Sequence, residues 1–242
     1  MLIIVQARLG STRLPGKIKL PLHGKKAVLN FLLDRLDREN VIVATPTKDL
    51  KQIEKLVANY CDDIFGVDDE DDVLRRYAAT ARKFASYESF SIVRITSDCP
   101  LIDISCLENM EEIFYSGGYD YVSNCHPFRY VPSGFDIEMF SYEALMEANF
   151  RAKDPYEREH VTPYIFNNFK AASFQLPKVK EKIDITQKFS IDTKADYEKV
   201  KFLVSKLVKR NDDYLDFTMQ DVLKAADKYA LELAAIEHAN KT

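Results

Sequence analysis

Near its start the chain reads QARLGSTRLPGKI, from Gln6 to Ile18. Arg8, Arg13 and Lys17 bring positive charge, and arginine suits forked contact with phosphate oxygens. Ser11 and Thr12 add hydroxyl and N–H donors, and Gly10 lets the main chain approach a ligand closely. These residue types fit a phosphate cradle. They do not make the ATP/GTP phosphate loop, because the run between Gly10 and the Gly16-Lys17 pair is one residue too long. Ile18 also stands where that loop needs a hydroxyl for magnesium. The plain alternative is a solvated basic turn.

Carboxylates follow at telling places. Asp98, in RITSDCPLID, comes directly after an apolar run and before Cys99-Pro100. Asp192, in FSIDTKADYEKV, again follows a short apolar run and precedes a helical pattern. Each can cap the helix after it. Together, at one edge of a sheet and opposite a basic loop, they can hold a magnesium ion beside a phosphate. The acidic run DDEDD, 68–72, contains the D-x-D pair Asp69 and Asp71. Carboxylates at a helix start meet exposed N–H groups, so we read this run as structural. Asp136 and Glu138 share one face of a strand, either binding sugar hydroxyls or facing water. Arg158, Glu159 and His160 form a charged cluster that is either a carboxylate-sugar site or an ordinary first helix turn.

The elements that must position these groups alternate. Short apolar strands at 2–6, 41–45, 63–65 and 91–96 are separated by helical patterns at 27–36, 49–60 and 71–85. This predicts βαβ units and a mostly parallel sheet flanked by helices, with ligands bound beyond the strand C-termini. The aromatic, proline-containing segment 119–140 predicts extended pieces, an edge or a small protruding arm. Helices are expected at 141–152, 156–168, 194–209 and 219–238, and strands at 172–176 and 189–191. One α/β domain accounts for all 242 residues.

Composition narrows the classes. A net charge of −4 argues against general nucleic-acid binding. No apolar run is long enough to span a membrane, and MLIIVQARLG lacks the features of a secretory signal, so a cytoplasmic location is expected. Cys61, Cys99, Cys106 and Cys125 have no zinc-like spacing and are expected to be reduced thiols.

The opening segment resembles the signature of the sugar cytidylyltransferases, which include the synthetases of CMP-3-deoxy-manno-octulosonate and CMP-sialic acid. The match is strongest to the branch of spore coat polysaccharide biosynthesis protein F, through VIVATP, EDDVLRRY, RITSDCPLID, GFDIEMFSYEAL and EREHVTPYI. The resemblance departs at FGVDD and at Ser133, where that branch carries a basic stretch and an aspartate. It implies a nucleotide-diphospho-sugar-transferase fold and transfer of CMP from CTP to an acidic sugar. Arg8, Gly10, Ser11, Thr12, Arg13 and Lys17 would wrap the triphosphate, and Asp98 and Asp192 would hold Mg2+. Arg13, Lys17 and Asp98 would be the catalytic groups, and Asp136, Glu138, Glu159 and His160 would face the sugar. It also implies a homodimer, with 119–140 as the arm. The competing expectations are a sugar-nucleotide glycosyltransferase, with its metal on Asp69 and Asp71, and a non-catalytic nucleotide-binding protein.

Overall fold

A computed structural model describes residues 1–36, 40–68, 70–84, 91–174, 183–208 and 215–239, with side chains to 235. β1 (Leu2–Gln6) leads to a hairpin of β2 (Pro21–His23) and β3 (Lys26–Ala27), then α1 (Val28–Leu36). Next come β4 (Val41–Pro46), α2 (Leu50–Val57), β5 (Asp63–Val67), α3 (Val73–Phe84), β6 (Ser91–Thr96) and α4 (Ile104–Gly117). β7 (Tyr121–Ser123), β8 (Glu138–Ser141), α5 (Tyr142–Arg151), α6 (Pro155–His160), α7 (Pro163–Asn168) and β9 (Ala171–Ser173) follow. α8 (Lys194–Leu207) and α9 (Met219–Ala239) end the fold.

The main sheet runs β5-β4-β1-β6-β8-β7-β9. β5, β4, β1 and β6 are mutually parallel, and β8 lies antiparallel to both β6 and β7. The chain winds outward from β1 to β4 and β5, then returns to place β6 on the other side of β1. The crevice between the carboxyl ends of β1 and β6 is therefore the topological switch point, where open α/β sheets bind ligands.

Alternation along the strands builds a core on each face. Ile3, Val5, Val43, Val93 and Ile95 pack with residues of α1, α2 and α4. Leu2, Ile4, Ile42 and Ile92 pack with residues of α3, α5 and α7. A third cluster joins Phe31, Phe135, Phe189 and Ile191 to α8 and α9.

The expected helix over 156–168 is two helices. Val161 turns the chain at φ 71°, and Pro163 begins the second helix without an N–H to offer the first. Residues 189–191 form no regular strand; beside an isolated bridge of Ser133 to Lys188, the Phe189 N–H donates to the Ser133 carbonyl at 2.7 Å. Nor does 119–140 stand out as an arm. Its ends are β7 and β8 inside the sheet, and Val131, Phe135 and Ile137 are buried. Asn124 ties the intervening loop back, donating to the Phe135 carbonyl at 2.8 Å and accepting from the Ile137 N–H at 2.9 Å. The prolines lie in that loop, not on a sheet edge, and Phe128 is the large apolar side chain it leaves to solvent.

Candidate active site

The basic loop is held in shape by its own main chain and one distant carboxylate. Leu9 donates its N–H to Asp49 Oδ2 at 2.8 Å, and its carbonyl accepts from the N–H groups of Ser11 and Gly16. Gly16 then turns the chain at φ 67°, a conformation that suits glycine, into a short 3-10 turn, Lys17–Lys19. Ile18 anchors that turn in the core, so Lys17 points back across the crevice.

Asp98 follows β6, and the N–H of Ile191 donates to its carbonyl at 2.9 Å. That bond ties the segment bearing Asp192 to the end of β6. Gly134 makes the approach of this segment possible. It sits at φ 107°, and a Cβ there would lie 2.5 Å from the Phe189 carbonyl carbon. Neither aspartate is used as a helix cap. Asp103 caps α4, and Thr193 with Asp196 forms a capping box at α8.

These pieces converge. The Lys17 ammonium donates to Asp98 Oδ2 at 2.6 Å, to the Ile191 carbonyl at 2.7 Å and to Asp192 Oδ1 at 3.1 Å. The Arg13 guanidinium lies 3.1 Å from the same Asp192 oxygen, and Lys188 lies 2.9 Å from the other. Burial opposes ionisation of Asp192, but Lys188 and Lys17 outweigh it and hold the carboxyl below its ordinary value. Gln6, Arg8, Ser11, Thr12, Thr96 and Ser97 complete a cleft of about 260 Å3 around the charged cluster.

Gly10 is not among the residues lining that cleft. A Cβ on Gly10 would meet Glu70 Oε1 at 2.7 Å, so this glycine makes room for a protein carboxylate. Glu70 is 3.9 Å from Arg8 and also pairs with Lys48, which fixes one wall of the loop. The carboxylates expected to face a sugar do not gather at the cleft. Glu138 is buried, receives Arg94 at 2.5 Å and accepts from Tyr121 and Thr162 hydroxyls at 2.7 and 2.6 Å. Burial pushes its carboxyl up, but Arg94 and the two hydroxyls prevail and hold it below the usual range. Asp136 forms a two-pronged pair with Arg129, at 2.5 and 3.1 Å. Glu159 and His160 lie exposed on α6, where the His160 ring packs tilted against Tyr156.

Asp69 lies outside the described residues. Asp72 caps the start of α3 through the Arg75 N–H and binds Arg158 at 2.6 Å, in keeping with a structural acidic run. Among the described residues, Cys125, His126 and Glu138 bring metal-ligand atoms within 4.8 Å of one another. The Glu138 oxygens are already engaged there by Arg94, Tyr121 and Thr162. Sequence reasoning missed Asp49, Glu70 and Lys188. Each acts through a partner brought near by folding; Glu70 lies within the acidic run 68–72, and no motif marks Asp49 or Lys188.

The family model for cytidylyltransferases matches residues 2–223. The chain belongs to the cytidylyltransferase family. The spore coat polysaccharide biosynthesis protein SpsF of Bacillus subtilis is 32% identical over 224 residues, covering 88% of this chain and 89% of that protein. An uncharacterised protein of Methanocaldococcus jannaschii is 36% identical over 206 residues, covering 81% and 79%. A solved cytidylyltransferase of Leptospira borgpetersenii superposes with a TM-score of 0.82 at 33% identity, covering 95% of this chain and 94% of that one. A CMP:2-keto-3-deoxy-manno-octonic acid synthetase, solved with CTP, superposes with a TM-score of 0.63 at 17% identity, covering 86% and 99%, and supports the fold. No helix among the described residues is long and apolar enough to cross a membrane.

Proposed function

We propose that this cytidylyltransferase moves CMP from CTP to a hydroxyl of an acidic sugar, of the 2-keto-3-deoxy or nonulosonic acid type, and releases pyrophosphate. The observation that carries the reading is the meeting of Lys17, Asp98 and Asp192 at the switch point, beside Arg8, Arg13, Ser11 and Thr12. Cationic side chains and loop N–H groups would receive the triphosphate and steady the departing pyrophosphate. No side chain is needed as a covalent nucleophile. Rate would come from alignment and charge stabilisation.

The oxygens around Lys17 are two carboxylates and a main-chain carbonyl, a hard donor set that suits Mg2+. Asp98 and Asp192 would hold the ion. When bound, it supplies charge neutralisation at the α-phosphate. The likeness to SpsF supports a role in surface polysaccharide biosynthesis. We place that role in the cytoplasm, with a homodimer as the working form, and Phe128, 67% exposed, as a contact.

The test is pyrophosphate release with magnesium, crossing the four common ribonucleoside triphosphates with a panel of 2-keto-3-deoxy acid sugars. Release with CTP alone, for a subset of acidic sugars, is expected. Nucleotide binding without release for every pair would replace the enzyme reading with a binding one. Arg13→Ala is expected to lower kcat/KM by about a hundredfold. Wild-type turnover in that variant would remove Arg13 from the catalytic set.

A further inference from the structure

The Lys17 ammonium has three N–H groups, and each has an oxygen acceptor. These are Asp98 Oδ2 at 2.6 Å, the Ile191 carbonyl at 2.7 Å and Asp192 Oδ1 at 3.1 Å. The Lys17 side chain is only 12% exposed. No donor on it is left over for a phosphate. Yet the loop that carries Lys17 is the candidate triphosphate cradle, and the oxygens it binds are the candidate metal ligands. The two assignments compete for the lysine, one placing it on phosphate and the other on the metal ligands.

We propose that Lys17 is an internal substitute for the divalent cation. Without nucleotide, its ammonium fills the carboxylate pair; a bound triphosphate draws it out and opens the pair to the metal. The inference rests on the reading of Asp98 and Asp192 as the metal-holding pair.

The surrounding contacts support this exchange. Among the described residues, Asp98 has no ion-pair partner except Lys17. Asp192 has two further cations, Arg13 at 3.1 Å and Lys188 at 2.9 Å, to compensate it if Lys17 leaves. Lys188 is also fixed to Asp196 at 2.7 Å, so it is tethered outside the pair. Departure of Lys17 alone would leave Asp98 uncompensated in a partly buried place, which is unfavourable until another cation arrives. Phosphate oxygens offer the ammonium new acceptors, and a lysine stem is long and flexible enough to swing. Cation and nucleotide then strengthen one another's binding by the same factor.

Manganese binding to the full-length chain, followed by the spin-resonance signal of free Mn2+, tests the inference without turnover. In the absence of nucleotide, Lys17→Met is expected to bind Mn2+ about tenfold or more tightly than wild type. Adding Asp98→Asn to that variant should abolish the gain. Lys188→Met removes equal charge from Asp192 without vacating the space between the carboxylates, so a smaller gain is expected. Thermal melts report whether each variant is folded, and Lys17→Gln replaces Lys17→Met if the latter is not. Equal affinity of wild type and Lys17→Met overturns the proposal. So does an equal gain in Lys188→Met, which would assign the effect to net charge. Wild type loaded with α,β-methylene-CTP, corrected for Mn2+ held by the nucleotide alone, separates the two levels of inference. Asp98-dependent binding there, with no gain in Lys17→Met, sinks the substitution and leaves the metal pair standing. Absence of Asp98-dependent binding in every protein removes both.

Discussion

Asp192 is a carboxylate held by cations on three sides, with Lys17 and Arg13 at one oxygen and Lys188 at the other. Its folded-state value is lowered from 3.8. A lowered carboxyl stabilises the fold above its unfolded value, and that contribution is lost as pH falls through the folded one. The melting temperature of Asp192→Asn should therefore sit below wild type at neutral pH, by an amount worth about 1 kcal/mol. The gap should narrow below pH 3.8, and melts from pH 7 to pH 3 check it. Gly134 controls the same carboxylate from the backbone. Gly134→Ala adds a Cβ at 2.5 Å from main-chain carbon in a left-handed conformation, so a loss of roughly 2 kcal/mol or more is expected in urea unfolding. Asp98 was legible in the sequence because it follows the apolar run of β6, which ends at the ligand edge of such a sheet; Asp192 reaches the same crevice from a segment that is no strand, tied by the Ile191 N–H to the Asp98 carbonyl. Lys188 was not legible, since its partners are chosen by where the 188–191 segment lies against Ser133.

At the scale of elements, β6 and β8 carry a polar pair into the interior. Arg94 and Glu138 face one another in the antiparallel register, and Thr162, at the junction of α6 and α7, covers the carboxylate. Period-two alternation put Asp136 and Glu138 on one strand face, but β8 begins only at Glu138, and alternation says nothing about what lies over a face. The break between α6 and α7 is what brings Thr162 onto Glu138. Arg94→Met would leave that carboxylate buried and without its cation. A cost of about 3–5 kcal/mol is expected by urea unfolding. The double variant Arg94→Met/Glu138→Met should recover much of it, and an equal loss in single and double variants would mean that packing, not charge, dominates. The course of 119–140 was hard to read for a related reason. Prolines and aromatics announce an irregular segment, while the tie that folds it inward is one asparagine side chain, Asn124.

At the scale of the whole molecule, α9 is fastened to the sheet layer by long-range polar contacts. The Arg35 guanidinium, at the end of α1, stacks 3.5 Å from the centre of Phe217. It donates to the carbonyls of Leu215, Ile102 and Phe217. Asp103, which caps α4, also accepts from the Met219 N–H at 2.7 Å and so marks the start of α9. Burial pulls the Arg35 group down to about 10, which still leaves it charged at neutral pH. Arg35→Met should strip these carbonyls of their donor and cost roughly 2–4 kcal/mol, read as a lower melting temperature. The parallel sheet and the amphipathic helices were legible from periodicity. This fastening was not, because a lone arginine in an apolar helix carries no sign of its acceptors.

Lys17 meets its acceptors across 81, 174 and 175 positions of chain. A ribosome makes the basic loop first, Glu70 and Asp98 next, and Asp192 well after them. Until then Lys17 has only part of its acceptor set, and the crevice has one side missing. A stalled or truncated product thus contains the recognisable signature and lacks the assembled cleft. Synthesis of the segment that carries Asp192 is itself the step that arms it.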